Sequence, residues 1–299
     1  MGLAPLTFAR CPKCQDMVLV PLRVAGFWLC KPLGAGGMGA TYLAWRENDD
    51  FADGYAVKIL PRDGKHNPRL IANLKQEADV VMALGVHPAI VHGVDSGHEG
   101  DEHYLATRFV EGERLDVRIE RLRRIPEIEA IGVCLRLLGA EAHIYNQGYL
   151  FRDLKPQNII VGDEGAFLFD YGICETLEDC LIDDGGDAVQ GSAIYIPPER
   201  LTGEGERAAA EIYSLGMVFY QMLKGIPYFD SAEIGSLARQ HVREFRLANN
   251  TDKLKGIPKD TSSVLEKMIA RDVSERFASF GEVEYELMTI LTRRLKKAK

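Results

Sequence analysis

The sequence lacks several features that define broad classes of protein. No stretch approaches the ~18 consecutive apolar residues of a membrane-spanning helix, and the opening MGLAPLTFARCPKC lacks the charged-then-apolar order of a secretory signal. Only 6 cysteines occur in 299 residues, and their scattered spacing does not suggest a disulfide framework. We therefore expect a cytoplasmic protein with no membrane span and no structural disulfides.

A basic surface is also missing. The formal net charge is -8 and the pI is about 5.5, and the one basic run, RRLKKAK, is typical of a solvated helix end. Nucleic acid is therefore not an expected partner. The composition, 46% hydrophobic and 27% charged, is that of a globular chain large enough for one big domain or two lobes.

The closest pair of cysteines is Cys11 and Cys14, in the motif C-P-K-C. We assign it to an N-terminal extension, residues 1–23. The pair resembles one knuckle of a zinc ribbon, but a closed structural zinc site needs four ligands. No second C-x-x-C follows, and Cys30 stands alone. We favour a metal-free remnant over a Zn²⁺ site.

The order of predicted elements divides the rest of the chain. From Trp28 to about Val110 the pattern is mainly short β-type runs, interrupted by one helical stretch, PRLIANLKQEADVVMALG. From about Leu115 onward the apolar spacing is helical. We predict an α+β fold with a small β-rich lobe that holds one main helix and a larger, mainly helical lobe. The boundary is expected near Gly112, with a ligand cleft between the lobes.

A glycine-rich motif lies early in the β-rich region. LGAGGMGATY gives Gly34, Gly36 and Gly39 the spacing G-x-G-x-x-G, which allows a backbone to approach phosphates closely. Alone this signal is weak, since the same spacing opens dinucleotide-binding units. There a helix follows, whereas here a second β-type run, YLAWRE, follows. The context favours a hairpin that covers the phosphates of ATP.

Lys58 lies in the apolar run YAVKIL, where a lysine is costly unless it has an anionic partner. The candidates are Glu77, in the predicted helix, and the phosphates of a nucleotide. Taken alone, Lys58 is better interpreted as a strand lysine whose amine reaches water. Taken alone, Glu77 is better interpreted as a surface glutamate.

The motif YLFRDLKPQNII places Asp153, Lys155 and Asn158 at D-x-K-x-x-N spacing, and FLFDYG places Asp170 after an apolar run. With the glycine motif, A-V-K, the helix glutamate and P-P-E, this order resembles the eukaryotic-type (Hanks-type) Ser/Thr protein kinase family. GAGGMG is especially similar to its bacterial members. The resemblance runs from about residue 27 to 291, and we assign a kinase domain to residues 24–295, with lobes at about 24–110 and 111–295.

The resemblance implies a two-lobed kinase fold that transfers the γ-phosphate of ATP to a protein. Asp153 would orient the substrate hydroxyl, and Lys155 would stabilise the transferring group. Lys58 and Glu77 would complete the catalytic set as an ion pair.

The same resemblance implies the ligand sites. Mg²⁺, with Mn²⁺ as an alternative, would be held by Asn158 and Asp170. The residues expected to bind ATP are Leu33, Gly34, Gly36, Gly39, Thr41, Ala56, Lys58, Thr107, Phe109 and Val110. For Thr107, a strand threonine buried for packing is an equally good interpretation.

The expected substrate is a protein Ser or Thr. D-L-K-P around Lys155, and GSAIYIPPE with Ser192, resemble Ser/Thr kinases more than tyrosine kinases. Glu199 and Arg276 resemble a structural ion pair of the family. The substrate protein and the oligomeric state stay open.

Several residues depart from the family pattern. Phe151 stands where the family usually has His, and Tyr171 replaces Phe. Thr41 replaces a valine. Glu211 replaces an Asp that caps the catalytic-loop backbone, and its extra methylene should move the acceptor unless the helix adjusts. A second interpretation is therefore a pseudokinase, which binds nucleotide or serves as a scaffold with negligible catalysis.

The segment CETLEDCLIDDGGDAVQGS is acidic and has few hydroxyl groups. In the family, the arginine that corresponds to Arg152 ordinarily pairs with a phosphorylated residue of such a segment. We hypothesise that Asp183, Asp184 or Asp187 replaces the phosphate. A solvated acidic loop is an equally good interpretation.

Overall fold

The computed structural model describes residues 4–47, 54–181, 194–229 and 251–297. Among these residues, no helix combines the length and the apolar character needed to cross a membrane. The chain divides into two compact units, Met1–Val86 with Val91–Val110, and His87–Ile90 with Glu111–Lys299.

The first unit is rich in β-structure. A hairpin of two short strands carries Cys11 and Cys14 in its connection. The other strands form a six-stranded antiparallel sheet in the order β3-β4-β5-β6-β8-β7. The strands are β1 (Phe8–Arg10), β2 (Met17–Leu19), β3 (Leu22–Val24), β4 (Phe27–Gly36), β5 (Gly39–Arg46), β6 (Tyr55–Ile59), β7 (Gly93–Glu99) and β8 (Glu102–Arg108).

The main helix of this unit is α1 (Pro68–Leu84). It begins where the Asn67 side chain accepts a hydrogen bond from the backbone N–H of Arg69, and it ends at Gly85, whose φ is 64°. The helix packs against β7 and β8. Its buried face follows helical spacing and comprises Leu74, Glu77, Ala78, Val80, Val81 and Leu84.

The second unit is mainly helical. Its helices are α2 (Leu115–Leu122), α3 (Glu127–Asn146), α4 (Leu177–Leu181), α5 (Pro198–Thr202), α6 (Ala208–Lys224), α7 (Thr251–Leu254), α8 (Lys259–Met268) and α9 (Phe280–Lys297). Its short strands are β9 (Glu113–Arg114), β10 (Tyr149–Leu150), β11 (Ile159–Gly162), β12 (Gly165–Leu168) and β13 (Glu175–Thr176). The predicted α+β organisation, with one β-rich unit that holds a main helix and one mainly helical unit, is confirmed.

Helix α6 forms the centre of this unit. Every residue from 210 to 220 is buried, as expected for a helix that is apolar on nearly all sides. It packs against α3 and α8. A buried bidentate ion pair lies close by, with Arg276 Nη1 at 2.6 Å and Nη2 at 2.8 Å from the two carboxylate oxygens of Glu199. The predicted structural ion pair is therefore present.

Candidate active-site residues

The glycine motif forms the hairpin between β4 and β5. Gly36 pairs with Gly39 across a two-residue turn. At Gly39, φ is 145° and a Cβ would lie 2.3 Å from the carbonyl oxygen of Ile59, so the fold itself requires glycine there. At Gly34 and Gly36, no atom of the described residues lies within 4 Å of an added Cβ. Packing does not require glycine at these two positions, and their open backbone suits close approach by a phosphate.

Four of the predicted nucleotide-binding residues share one face of the sheet. Thr41 lies directly opposite Lys58, and Ala56 directly opposite Thr107. Because Ala56 and Lys58 are two residues apart on one strand, all four side chains project from the same face. The Thr107 hydroxyl donates a hydrogen bond to the carbonyl of Ala56 at 3.3 Å.

Leu33 lies within β4 just before the glycine hairpin, and Phe109 and Val110 follow the end of β8. Leu33, next to Gly34, is 42% exposed. Phe109 follows β8, and its backbone N–H donates to the carbonyl of Gly54 at 3.0 Å. Val110 comes next and is half-buried.

The predicted pairing of Lys58 with Glu77 is present in the first unit. The ammonium lies 2.7 Å from the carboxylate, and the two side chains are only 16% and 7% exposed. Strand β6 and the buried face of α1 hold them in position. A largely dehydrated lysine, whose ammonium has three hydrogens to donate, is thus held beside an anion.

In the second unit, a hairpin brings the sequence motifs together. Ile159 at the start of β11 pairs with Leu168 at the end of β12. The residues just beyond this pair are therefore neighbours, and the N–H of Phe169 donates to the carbonyl of Asn158 at 3.1 Å. The antiparallel register explains why Asn158 and Asp170 belong to one region although they are separated in sequence.

One of the two carboxylate oxygens of Asp153 is fixed by hydrogen bonds. Its Oδ2 accepts hydrogen bonds from Lys155 Nζ at 2.7 Å and from Asn158 Nδ2 at 2.8 Å. The same amide nitrogen of Asn158 lies 3.0 Å from the carbonyl of Asp153. The other oxygen, Oδ1, is buried and has no hydrogen-bond partner in the described part of the chain. A buried acceptor of this kind is expected to have a function.

Two residues beside this motif have an uncommon backbone. Arg152 has a φ of 67° and Asp170 a φ of 69°, in the left-handed region that non-glycine residues rarely adopt. Such conformations persist only where the surroundings enforce them, and they concentrate at functional sites.

The two aromatic departures from the family pattern contact each other. Phe151 is fully buried, and its ring meets that of Tyr171 edge to face, with centroids 5.6 Å apart. The Tyr171 hydroxyl donates to the carbonyl of Leu168 at 3.0 Å, so the added polar group has a partner. Packing in this region tolerates both substitutions.

Glu211 caps the backbone at Arg152, as the resemblance implied for this position. Its Oε1 accepts a hydrogen bond from the N–H of Arg152 at 2.9 Å. The displacement expected from the extra methylene does not prevent this contact. Burial raises the pKa of Glu211 to about 7, while Arg200 acts in the opposite direction.

The Arg152 side chain already lies among carboxylates. Its Nη2 lies 2.8 Å from Glu206 and its Nη1 lies 3.6 Å from Glu175. Arg200 donates from Nε to Glu206 at 2.5 Å and from Nη1 to the carbonyl of Arg152 at 2.6 Å. Sequence reasoning missed Arg200 and Glu206, since no motif spacing links them to Arg152. The hypothesised aspartates, Asp183, Asp184 and Asp187, lie outside the described residues.

The cysteine pair has no metal-binding partners near it in the described structure. Cys11 and Cys14 lie between β1 and β2, and both thiols are free. Over residues 4–47, 54–181, 194–229 and 251–297, no group of three or more His, Cys, Asp or Glu side chains is arranged to hold a metal ion.

Comparison with known proteins gives a consistent result. A model of the protein kinase domain matches residues 27–287. A probable serine/threonine-protein kinase of Clostridium perfringens is 30% identical over 264 residues, which covers 88% of this chain and 38% of that protein.

Two further relatives are similar to the same extent. Serine/threonine-protein kinase PrkC of Bacillus subtilis is 29% identical over 275 residues, covering 91% of this chain and 42% of its own. Serine/threonine-protein kinase PknB of Mycobacterium leprae is 31% identical over 263 residues, covering 86% and 42%. The chain thus spans about two fifths of the length of these curated relatives.

Proposed function

The chain belongs to the protein kinase family, and we propose that it is an active serine/threonine kinase that transfers the γ-phosphate of Mg-ATP to a protein hydroxyl. The observation that carries this proposal is the setting of Asp153. One carboxylate oxygen is fixed by Lys155 and Asn158, and the other is a buried acceptor without a described partner. A kinase needs such an oriented acceptor for the substrate hydroxyl.

In the proposed reaction, Asp153 Oδ1 accepts a hydrogen bond from the hydroxyl of the substrate and orients that oxygen toward the γ-phosphate. Lys155 places its positive charge next to the transferring group while it holds Oδ2 of Asp153. Phosphoryl transfer depends mainly on such positioning and charge neutralisation, and no covalent intermediate is needed.

The chemistry of the donor set fits a divalent cation. The amide nitrogen of Asn158 is engaged by Asp153, which leaves the amide oxygen as its ligand atom. With the carboxylate of Asp170, it offers the hard oxygen ligands that Mg²⁺ prefers. When bound, the metal neutralises the charge that develops on the phosphates.

The first unit supports nucleotide binding. Gly34 and Gly36 leave their backbone open to a phosphate, and Glu77 holds the Lys58 ammonium at 2.7 Å. Thr41, Ala56 and Thr107 lie on the same sheet face as Lys58. We assign this face to ATP.

We also propose that the protein is active without a phosphorylated residue paired with Arg152. Glu206 and Glu175 already supply negative charge to its guanidinium group. A carboxylate is a weaker substitute for phosphate, but Glu206 is almost fully buried, which strengthens its interaction with Arg152.

The test is incubation of the purified protein with γ-labelled ATP, Mg²⁺ and a generic basic protein, followed by phosphoamino-acid analysis. Asp153→Asn is the matched control, because it keeps the size of the side chain and removes its negative charge. Label on Ser or Thr that disappears in the control supports the proposal. Label on Tyr contradicts the substrate class.

Nucleotide binding is measured separately, by the thermal shift that ATP produces with and without Mg²⁺. A Mg²⁺-dependent shift in a protein that transfers no label, even to itself, would overturn the proposal in favour of a pseudokinase.

A further inference from the structure

Two glutamates are buried in the interior of the second unit, on two helices that pack against each other. Glu141 lies on α3 and Glu211 on α6, and each is 1% exposed. The two carboxyl groups interact electrostatically. Glu141 Oε1 and Glu211 Oε2 are both buried without a hydrogen-bond partner among the described residues. Glu211 Oε1 accepts from the Arg152 amide.

Charge around this pair does not balance if every carboxyl group is ionised. Three carboxyl groups, Glu141, Glu206 and Glu211, are buried here together with two guanidinium groups. Glu206 binds both guanidinium groups, and Glu211 is attracted to both. No cation is recorded beside Glu141 in the described structure. One negative charge is therefore in excess in a region where an isolated charge is costly.

The other ionisable groups of the surrounding elements do not remove this excess. Burial raises the pKa of the Cys174 thiol far above its usual range and that of Cys180 to about 12, so both are neutral. Glu175 lies beside Arg152 at 3.6 Å and adds a further carboxyl group. Among the described residues, the ionisable groups recorded around Glu211, Arg152 and Cys174 are Arg152, Cys174, Glu175, Cys180, Arg200 and Glu206.

We propose that Glu141 is protonated in the folded protein and donates its O–H to Oε2 of Glu211, which makes Glu141 a positioning residue for the catalytic loop. The proposal rests on the function proposed above only in its consequence for catalysis. One proton satisfies both orphaned oxygens and leaves two negative charges on the three fully buried carboxyl groups, which the two guanidinium groups balance, while Glu175 is partly exposed to water. The bond is a charge-assisted hydrogen bond, which is stronger than one between neutral groups.

The proton belongs on Glu141 because of its surroundings. Burial raises the pKa of Glu141 well above its usual range, and the negative charge of Glu211 raises it further. Glu211 also has a raised pKa, but Arg200 and the Arg152 amide favour its ionised form. Glu141 has neither kind of support.

The pair explains how a glutamate serves as the cap at position 211. A glutamate has one more rotatable bond than an aspartate, so its carboxylate needs additional fixation to stay on one amide. A hydrogen bond to Oε2 holds the carboxylate plane and keeps Oε1 on the N–H of Arg152, the residue before Asp153.

Two variants at one position separate positioning from packing. Glu141→Gln keeps a donor for Glu211 Oε2 but cannot ionise, whereas Glu141→Leu fills the volume without a donor. We expect kcat for Glu141→Gln to stay within about threefold of the wild type and kcat for Glu141→Leu to fall about tenfold or more, with KM for ATP unchanged. Equal kcat values for Glu141→Leu and Glu141→Gln would overturn the positioning role of Glu141.

A second readout does not depend on activity. At about pH 8.5, above the pKa of about 7 for Glu211, the infrared spectrum of the wild type should contain the C=O stretch of a buried protonated carboxylic acid, and Glu141→Gln should lack it. The melting temperature of the wild type should fall, relative to Glu141→Gln, as the pH rises from 6 to 9, because the folded state holds a proton that the unfolded chain releases. Identical spectra and parallel melting curves would overturn the protonation, whether or not the protein transfers phosphate.

Discussion

The two units hold their buried charges in different ways. In the first, the ammonium of Lys58 lies 2.7 Å from the carboxylate of Glu77. In the second, the arginines Arg152 and Arg200 lie among three buried carboxyl groups. The opposite charges of Lys58 and Glu77 balance each other. A surplus carboxyl group makes the geometry depend on a proton, and therefore on pH.

The largest effect is expected when the shared anion of the second unit is removed. Glu206→Ala leaves two largely buried guanidinium groups without the carboxylate that joins them. We expect the free energy of unfolding to fall by about 3–5 kcal/mol, as for other broken buried ion pairs. Denaturant unfolding gives the value. Glu206→Gln, which retains an acceptor oxygen, should lose less unfolding free energy than Glu206→Ala. A loss below about 1 kcal/mol in Glu206→Ala would show that the ion pairs of Glu206 do not stabilise the fold.

A smaller loss of unfolding free energy is expected when the ion pair between Lys58 and Glu77 in the first unit is broken. Lys58→Met retains much of the apolar stem and removes the ammonium from beside Glu77, whose side chain is 7% exposed. We expect a loss of about 1–3 kcal/mol in unfolding free energy. In Lys58→Met/Glu77→Gln, part of this loss should be regained, since the buried charge is gone. If Lys58→Met lost as much unfolding free energy as Glu206→Ala, the proposed contrast between the two units would be wrong.

The cap of the catalytic loop should affect rate more than stability. Glu211→Asp withdraws the carboxylate from the Arg152 amide, which it now reaches at 2.9 Å. We expect kcat to fall about 10- to 100-fold, because displacements of about 1 Å have such effects. Steady-state kinetics at varied ATP concentration would show little change in KM. Glu284→Asp, on the exposed side of α9, is the matched control. An unchanged kcat in Glu211→Asp would show that the loop does not depend on this contact.

The smallest expected effect is the pH dependence of stability. Because the folded pKa of Glu211 is raised to about 7, the folded protein binds a proton more tightly than the unfolded chain. Stability from this site is greatest below the ordinary glutamate pKa and declines as the pH rises, by about 1–2 kcal/mol between about pH 6 and pH 8.

Histidines contribute to the same pH range in the opposite direction. Burial lowers the pKa of His87 and His92, so their contribution to stability increases with pH. The informative quantity is therefore the difference between the wild type and Glu211→Gln, in which the histidine contributions cancel. A difference that does not change between pH 5 and pH 8 would contradict the raised pKa.

Much of the fold could be predicted from the sequence. The alternating β-type runs and the amphipathic stretch of α1 gave the organisation of the first unit, and the cost of burying Lys58 pointed to Glu77. Asn158 and Asp170 could be grouped because they flank two apolar runs that pair as a hairpin.

The cluster around Arg152 could not be predicted in the same way. Arg152, Arg200 and Glu206 come together through the packing of separate helices and loops, and so do the helices that carry Glu141 and Glu211; no fixed spacing in the sequence records such contacts. One signal was available, since Glu141 lies three residues after Leu138 and three before Ile144, on the buried face of α3. A charged residue at an apolar position of a helix indicates a buried polar network.

The most direct measurement is the rate of phosphate transfer from γ-labelled ATP to a protein serine or threonine, compared between the wild type and Asp153→Asn. The account predicts a rate about 10²–10⁴-fold lower in the variant, with the same ATP-induced thermal shift in both proteins. Equal rates, or no transfer by the wild type under conditions where ATP binds, would contradict it.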